Sequence, residues 1–273
     1  MYDNPIVVEN VERLLKNGVQ FVNPKIDEGK AKMADVQQIV GMVIRNLNGG
    51  ELSGMKIVVT AGPTVEYIDP IRVISNRSSG KMGVALALEA SNRGAETTLI
   101  HGPGVNIPKG IDITVAINTT EELHRAVTDR LQSEKCDIFI SAAAPADYTP
   151  EKYFKKKLNS RIKTELILKV RATPKIIHEV KKLCPKSFLV VFRAEHKVSE
   201  KQLVNSSRGL IEEVKGDIVV ANDVGREGRG FESETNEVFV IYKTGEVRHI
   251  PLTTKREIAF NLFDIISEYI KKK

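Results

Sequence analysis

From residue 55 onward, hydrophobic positions repeat along the chain with two different periods. Segments with apolar residues at helical spacing lie at residues 81–93 and after Thr119, which forms a capping box with Glu122. This alternation of strands and helices predicts an α/β fold, a doubly wound, Rossmann-like and mostly parallel sheet. Short β-branched and apolar runs, typical of buried strands, occupy residues 56–60, 96–100, 113–117, 137–141, 166–170, 188–194 and 217–221.

The C-terminal part of the pattern adds a hairpin and a closing helix. Residues 237–242 and 246–251 flank a Thr-Gly turn and predict two antiparallel strands, which extend the sheet as a β-hairpin. A second capping box, formed by Thr254 and Glu257, opens an amphipathic segment that continues to residue 269. We therefore expect the chain to end in a helix.

The first 53 residues differ in character from the rest. Residues 7–16 and 34–47 have apolar positions at helical spacing, and each segment is followed by an Asn-Gly pair that stops a helix. This part is too short and too polar to build a core alone. We therefore predict two units, a helical segment over 1–53 and a main domain over 54–273, with the first packed on the second or on a domain outside this sequence.

One connection is far longer than the predicted fold requires. Roughly 20 residues separate the strand at 56–60 from the helix at 81–93, whereas about 2–6 are usual. The loop carries Arg72 and Asn76, which favours a functional role. Its end combines small residues, a lysine and the free N–H groups of a helix start, which favour an anion site over a merely well-capped helix. These residues are Ser78, Ser79, Gly80 and Lys81.

Two familiar nucleotide-binding motifs do not fit this loop. A P-loop requires glycine where Ser75 stands and serine or threonine where Met82 follows the lysine. A dinucleotide fingerprint requires an acidic residue after the next strand, but that strand runs into His101-Gly102-Pro103. A nicotinamide-dependent reductase on a similar sheet is therefore the weaker alternative among enzymes.

Other polar or small residues follow the predicted strands at their carboxyl ends. In doubly wound sheets the ligand lies beyond these ends. Gly62, residues 142–147 and Asn222 each follow a strand, so we expect them to face the same crevice as Asn76. The crevice is rich in cations and amides and has neither a Ser-His-acid arrangement nor a positioned cysteine. It suits a reaction catalysed by positioning and charge stabilisation around phosphates and Mg²⁺.

The regular pattern stops after residue 148. Residues 149–164 form a lysine-rich polar stretch with little periodicity, which we predict to be a mobile flap. Such a flap could close over a triphosphate and stabilise a pyrophosphate leaving group, although a solvated loop is the simpler alternative. Thr173 and Pro174 then predict a helix start, with the threonine as the cap and the proline in the first turn.

Composition excludes several classes of protein. The chain has 273 residues, 41% hydrophobic and 28% charged, as in an ordinary globular protein. It has no apolar run long enough for a bilayer and no signal peptide, so we expect a cytoplasmic protein without a membrane partner. Two cysteines and five scattered histidines predict neither a disulfide framework nor a metal site. A net charge of +6 without interleaved aromatics argues against nucleic acid and fits a polyanionic small substrate.

Seven motifs follow one another along residues 55–260, at residues 59–64, 69–76, 78–83, 141–148, 173–176, 221–224 and 231–237. In sequence and in order they resemble phosphopantothenoylcysteine synthetase. Asn4-Pro5, Gly18-Val19 and residues 29–34 are similar to the C-terminal part of the flavin-dependent phosphopantothenoylcysteine decarboxylase. The first 50 residues lack a cysteine found in many of its members, and most of the flavin-binding part is absent. We therefore expect neither flavin nor decarboxylation from this chain. It resembles the synthetase half of a bifunctional protein.

The resemblance implies a two-step ligation. 4′-Phosphopantothenate attacks the α-phosphate of CTP to give an acyl-cytidylate and pyrophosphate, and the amine of L-cysteine then displaces CMP. By motif, Asn76 would hold the acyl-cytidylate, Arg72 would lie near the substrate, and Lys155 would be the catalytic flap lysine with Lys157 behind it. The flap departs from the family's Lys-x-Lys-Lys pattern at Leu158, so the choice among the three consecutive lysines stays open.

The resemblance also implies a nucleotide site with Mg²⁺. Asp147 would contact the ribose, the base or Mg²⁺, with a plain helix cap as its alternative, and Phe192 would contact the nucleotide unless it is only core. The cations expected after Phe192 are poorly matched, and Arg208 and Lys215 are the nearest candidates. The residues assigned to nucleotide or anion binding are Gly62, Ser78, Ser79, Gly80, Lys81, Ala143, Ala144, Asp147, Pro174, Lys175, Ile176, Ile177, Phe192, Arg208 and Lys215.

Two kinds of protein partner follow from the resemblance. Family members form homodimers, with the hairpin at 237–251 as the candidate contact here, and a fused or separate flavin decarboxylase domain is the other expected partner. A nucleotide-sensing or scaffold module that has lost turnover is the alternative outside enzymes. The sequence does not decide between CTP and ATP, nor whether the N-terminal segment is a natural start.

Overall fold

A computed structural model describes residues 3–47, 50–159 and 165–271. None of its described helices is long and apolar enough to cross a membrane. In chain order the elements are α1 (Pro5–Lys16), β1 (Lys25–Asp27), β2 (Lys30–Lys32), α2 (Val36–Leu47), β3 (Lys56–Ala61), β4 (Val65–Tyr67), β5 (Val73–Ser75), α3 (Lys81–Asn92), β6 (Glu96–His101), β7 (Ile113–Ala116), α4 (Thr120–Ser133), β8 (Ile138–Ser141), β9 (Tyr148–Pro150), β10 (Val170–Ala172), α5 (Ile177–Leu183), β11 (Phe188–Glu195), α6 (Glu200–Val214), β12 (Ile218–Asp223), β13 (Thr235–Tyr242), β14 (Val247–Thr254) and α7 (Lys255–Lys271).

Eight strands form the central sheet, in the order β14-β13-β12-β11-β8-β3-β6-β7. The six strands from β12 to β7 are parallel, and β13 and β14 are added as an antiparallel hairpin. One face of the sheet packs against apolar residues of α3 and α7, and the other against those of α4, α5 and α6. The predicted doubly wound sheet with a β-hairpin extension is therefore confirmed.

The structure corrects the prediction for residues 166–176. The strand expected at 166–170 is instead β10, which starts at Val170 and pairs with β9 outside the central sheet. Thr173 does not cap a helix, because its Oγ1 donates to the carbonyl of Ala146 at 2.6 Å and α5 starts four residues later. This segment is therefore tied to the loop after β8. The end of the predicted flap, residues 160–164, lies outside the described residues.

The predicted helices of the N-terminal segment correspond to α1 and α2. α1 buries none of its residues, whereas α2 lies against α3. The guanidinium of Arg45 on α2 donates from Nη2 to the carbonyl of Ser91 at 2.8 Å. A short hairpin of β1 and β2 connects the two helices. It was not predicted, since strands of three residues have too few positions to show alternation.

Helix α3 approaches β3 closely at Gly83. A Cβ atom on Gly83 would lie 2.5 Å from the Ala61 Cβ and 2.9 Å from the Thr60 carbonyl oxygen. We expect Gly83→Ala to lower the free energy of unfolding by about 1–2 kcal/mol, because α3 would have to move off the sheet. Urea denaturation measures this loss.

The control for this substitution is Gly209→Ala on α6, where an added Cβ would meet nothing within 4 Å. The control should leave stability unchanged or raise it by up to about 1 kcal/mol, since alanine is the better helix former. Equal losses in both variants would contradict the close approach of α3 to β3.

Candidate active site

Two adjoining cavities open at the carboxyl ends of the parallel strands. The first, here called the α3 cavity, has a volume of about 380 Å³ and is lined by residues 76–83 at the start of α3. The second, the α5 cavity, has a volume of about 170 Å³ and is lined by Asp147 and residues 173–177 before and at the start of α5. Ala143, after β8, and Phe192, in β11, line both cavities. A ligand could therefore extend from one cavity into the other.

The α3 cavity is strongly cationic. Among the described residues that line it, four side chains are cationic and none is a carboxylate. Gly80 precedes α3 with a φ of 72° and makes no side-chain cap, so backbone N–H groups at the helix start remain for a ligand. The cavity therefore favours an anion with more than one charge. The four cations are Arg77, Lys81, Arg229 and Lys255.

The segment of residues 228–236, a loop that runs into the first two residues of β13, lies over the start of α3. Ser79 Oγ donates to the carbonyl of Phe231 at 2.6 Å, and Lys81 Nζ donates to the Glu232 carbonyl at 2.9 Å and to Glu234 Oε1 at 2.5 Å. The hydrogen bond from Lys81 lowers the pKa of Glu234. Lys81 thus lies at the predicted anion site, but part of its charge is already neutralised.

Lys255, the first residue of α7, is the buried cation of the α3 cavity. Its side chain is 6% exposed, and its Nζ donates to the Phe231 carbonyl at 3.0 Å. Burial lowers the pKa of Lys255 to about 8, and the nearby charge of Lys81 adds to this effect. Lys255 was not among the residues predicted for the site. The available signal was a lysine at the first position of a helix, where the helix dipole disfavours a cation.

Arg229 is the second cation of the α3 cavity that was not predicted from the sequence. Its Nη2 lies 2.5 Å from Glu237 Oε2. Its Nε is buried and has no hydrogen-bond partner within the part of the chain that the structure describes. Arg229 thus lines the α3 cavity with its guanidinium paired to Glu237.

Asn76 joins the long loop to the segment after β8. Its Nδ2 donates to the carbonyl of Pro145 at 2.9 Å, and the residue lines the α3 cavity together with Ala143 and Ala144. Gly62 lines neither cavity: with a φ of 79°, it accepts a hydrogen bond at its carbonyl from Ala144 N at 2.8 Å. Gly62 therefore shapes the segment after β8.

The α5 cavity brings together most of the residues predicted to contact the nucleotide. Asp147, an exposed residue, forms an ion pair with Lys175, and the cavity wall continues through an apolar surface. Phe192 is half-buried and packs against the core while it lines both cavities, and its contact with the nucleotide stays a prediction. The predicted residues on this wall are Ala143, Asp147, Pro174, Lys175, Ile176, Ile177 and Phe192.

Sequence comparison shows the family to which the chain belongs. Residues 52–270 match the DNA/pantothenate metabolism flavoprotein C-terminal domain. The chain belongs to this family. Residues 1–48 match a second family, described as flavoprotein, so this family member carries part of a flavoprotein ahead of its main domain.

Two curated relatives and one solved structure illustrate the family. The chain is 44% identical over 272 residues to the coenzyme A biosynthesis bifunctional protein CoaBC of Thermococcus kodakarensis, covering 99% of this chain and 65% of that protein. It is 32% identical over 282 residues to CoaBC of Bacillus subtilis, covering 100% and 68%. The chain therefore spans about two thirds of their length. The crystal structure of the C-terminal domain of a CoaBC protein matches with a TM-score of 0.67 and 31% identity, covering 82% of this chain and all of that domain.

In this family member, five more of the predicted site residues, besides Gly62, lie outside both cavities. Arg72 Nη1 lies 2.5 Å from Asp69 Oδ2 and also donates to the Leu158 carbonyl. Arg208 on α6 donates to the Gly245 carbonyl, and Lys215 ends α6 at the amino edge of the sheet, opposite the cavities. The five residues are Arg72, Lys155, Lys157, Arg208 and Lys215.

Proposed function

We propose that this chain joins 4′-phosphopantothenate to L-cysteine in coenzyme A biosynthesis, with CTP as the activating nucleotide. The proposal is supported by the family and by the names of its relatives. The observation that carries it is the pairing of a cationic cavity with a second cavity across the shared wall of Ala143 and Phe192. A phosphorylated acid and a nucleotide bound side by side in this way have their reacting groups close together.

In this proposal phosphopantothenate and the nucleotide occupy one cavity each. The phosphate of phosphopantothenate lies in the α3 cavity against Lys255, Arg229 and the start of α3, since phosphates bind well at helix N-termini. The nucleotide lies in the α5 cavity between Phe192 and the segment before α5. The pantothenate carboxylate then meets the α-phosphate at the shared wall, near Asn76.

Asn76 is proposed to act on the acyl-cytidylate formed at this wall. A side-chain amide has two N–H donors, and one of those on Asn76 donates to the Pro145 carbonyl at 2.9 Å. The same nitrogen lies 3.5 Å from the Ala144 carbonyl, a long and weak contact that a ligand can replace. The other N–H can donate to an oxygen of the acyl-cytidylate. A fixed donor of this kind favours the charge that develops as the cysteine amine attacks.

The residues around the α5 cavity fit a nucleotide that carries Mg²⁺. Proteins usually hold Mg²⁺ through one or two carboxylates together with the phosphates of the substrate. Asp147 lines the α5 cavity, and its exposed carboxylate forms an ion pair with Lys175. Asp147 would hold Mg²⁺ there, and the ion would offset the charge of the triphosphate. The flap lysines Lys155 and Lys157 are proposed to act on the same phosphates.

We also propose that two copies of the chain associate through the hairpin of β13 and β14. β14 is an edge strand of the central sheet, and edge strands have unpaired backbone groups that can pair with another chain. Its Leu252 is 49% exposed. Analytical ultracentrifugation should show a dimer. A flavoprotein decarboxylase domain is the second proposed partner, because residues 1–48 match part of a flavoprotein.

The experiment that tests the proposed function is pyrophosphate release from CTP. Release should require 4′-phosphopantothenate, and the amide product should form only when cysteine is added. ATP in place of CTP tests the nucleotide preference. Binding of a nucleotide without any release would favour a nucleotide-sensing module, and binding of a nicotinamide cofactor would favour a reductase.

A further inference from the structure

A fully buried carboxylate, Asp69, lies in the turn between β4 and β5. Its Oδ1 accepts hydrogen bonds from the backbone N–H groups of Ile71 and Arg72, both at 2.8 Å. These two bonds shape the turn. Its Oδ2 accepts from the backbone N–H of Leu158 at 3.0 Å and lies 2.5 Å from Arg72 Nη1. Shaping of the turn does not explain the bond to Leu158, which is 89 residues away in sequence.

Both backbone polar groups of Leu158 are bound to this turn. Its N–H donates to Asp69, and its carbonyl accepts from Arg72 Nη1 at 3.1 Å. Four residues earlier, the N–H of Phe154 donates to the carbonyl of Ile68 at 2.9 Å. The segment 154–158 is therefore attached to the turn at both of its ends. It includes the three consecutive lysines of the predicted flap, whose side chains are exposed.

The hydrogen bonds also keep Asp69 ionised. Burial alone would raise its pKa, but the bonds from Leu158, Ile71 and Arg72 together hold the pKa well below its ordinary value. The charge is thus maintained by the same contacts that attach the segment.

We infer that Asp69 is a positioning residue which, together with Arg72, fixes segment 154–158 and so sets where Lys155 and Lys157 lie relative to the substrate. Asp69 itself lines neither cavity, so the inference gives it no contact with the substrate. The inference rests on the proposed function, in which these lysines act on the triphosphate. Two experiments test it, and the first does not depend on that function.

The first experiment is limited trypsin cleavage of the folded protein, with the cut sites identified by mass spectrometry. Asp69→Asn should raise the rate of cleavage after Lys155 and Lys157 by about tenfold or more, because a hydrogen bond to a charged group that holds the segment is lost. Arg72→Met keeps the carboxylate, removes the donor to the Leu158 carbonyl, and should also raise this rate. It provides a second variant if Asp69→Asn fails to fold.

The matched control is Asp217→Asn. Asp217 is also a buried carboxylate, and it lies just before β12, at the amino ends of the parallel strands and away from the cavities. It accepts a hydrogen bond from the backbone N–H of Leu189 at 3.0 Å. This variant should not change the rate of cleavage after Lys155 and Lys157. Faster cleavage in the control alone, or no change in either test variant, would overturn the inference.

The second experiment is a double-mutant cycle on pyrophosphate release. Asp69→Asn should lower kcat by about tenfold in the wild-type background but have little further effect when Lys155 and Lys157 are both alanine. An equal loss in both backgrounds would show that Asp69 acts only through the turn. If the wild-type protein releases no pyrophosphate, the proposed function fails, while the trypsin experiment still decides whether Asp69 holds the segment.

Discussion

Replacement of Asn76 by aspartate is expected to slow the ligation by about 100- to 1000-fold, which is the usual cost of losing one donor at a developing charge. Asn76 Nδ2 donates to the Pro145 carbonyl at 2.9 Å and lies 3.5 Å from the Ala144 carbonyl. A carboxylate has no donor for these oxygens and would repel them. It would also repel the phosphate of the acyl-cytidylate.

The two half-reactions separate the possible causes of this loss. If Asn76 acts on the acyl-cytidylate, the variant should still release pyrophosphate from CTP in a single turnover, and the intermediate should accumulate. Rapid quench followed by chromatography measures both. Loss of pyrophosphate release together with weak CTP binding would contradict this role and indicate a role in positioning the nucleotide.

A control is needed for the added negative charge. Asn205→Asp introduces the same change at an exposed position on α6 and lines neither the α3 nor the α5 cavity. It should leave both half-reactions unchanged. A similar loss in this variant would show that net charge, and not the contact with Pro145, causes the effect.

The central strands could be predicted because they are buried on both faces. Parallel strands covered by helices are continuous apolar runs, and residues 56–60 and 137–141 show this pattern without any long-range information. The start of α3 was also predictable, since small residues and a lysine at a helix start are a local signal. The fold and one wall of the site could therefore be inferred from short stretches of sequence.

The remainder of the site depends on contacts between distant parts of the chain. Lys255 reaches the α3 cavity only because β13 and β14 return antiparallel along the edge of the sheet and bring the start of α7 beside residues 228–236. Arg229 reaches it through the same loop. No local pattern specifies such proximity. At Thr173 a local signal gave a wrong prediction. The residue has the sequence of a helix cap, but its hydroxyl donates to the carbonyl of the distant Ala146 instead.

Replacement of Lys255 by methionine is expected to raise the KM for 4′-phosphopantothenate by about 10- to 100-fold. A hydrogen bond to a charged group contributes about 1.5–3 kcal/mol, and Lys255 is the buried cation of the α3 cavity. Methionine is unbranched and only one heavy atom shorter than lysine, so it removes the charge with little loss of volume. The KM for CTP should change little, because the nucleotide is proposed to bind in the α5 cavity. An equal rise in both KM values would contradict this division of the site.

The pH dependence of this effect has a definite sign. Burial lowers the pKa of Lys255 to about 8, so the unliganded wild-type protein loses this cation as the pH rises through 8. The affinity for phosphopantothenate should therefore fall between about pH 7.5 and 9.5 in the wild type, and fall less in Lys255→Met. Calorimetric titration at several pH values measures both. Lys201→Met, an exposed lysine on α6, provides the control and should behave as the wild type.

The same shift predicts the opposite trend for the stability of the unliganded protein. In the unfolded chain a lysine keeps its proton up to its ordinary pKa of 10.5, whereas folded Lys255 releases it near pH 8. Between these values the unfolded state binds more protons, so this residue makes the free energy of unfolding rise with pH. Urea denaturation of the wild type and Lys255→Met at pH 7.5 and 9.5 should show this rise only in the wild type. Between pH 7.5 and 9.5 the affinity for phosphopantothenate should therefore fall while the free energy of unfolding rises. These opposite trends, weaker or absent in Lys255→Met, would show that Lys255 is a buried cation that serves ligand binding at a cost in stability.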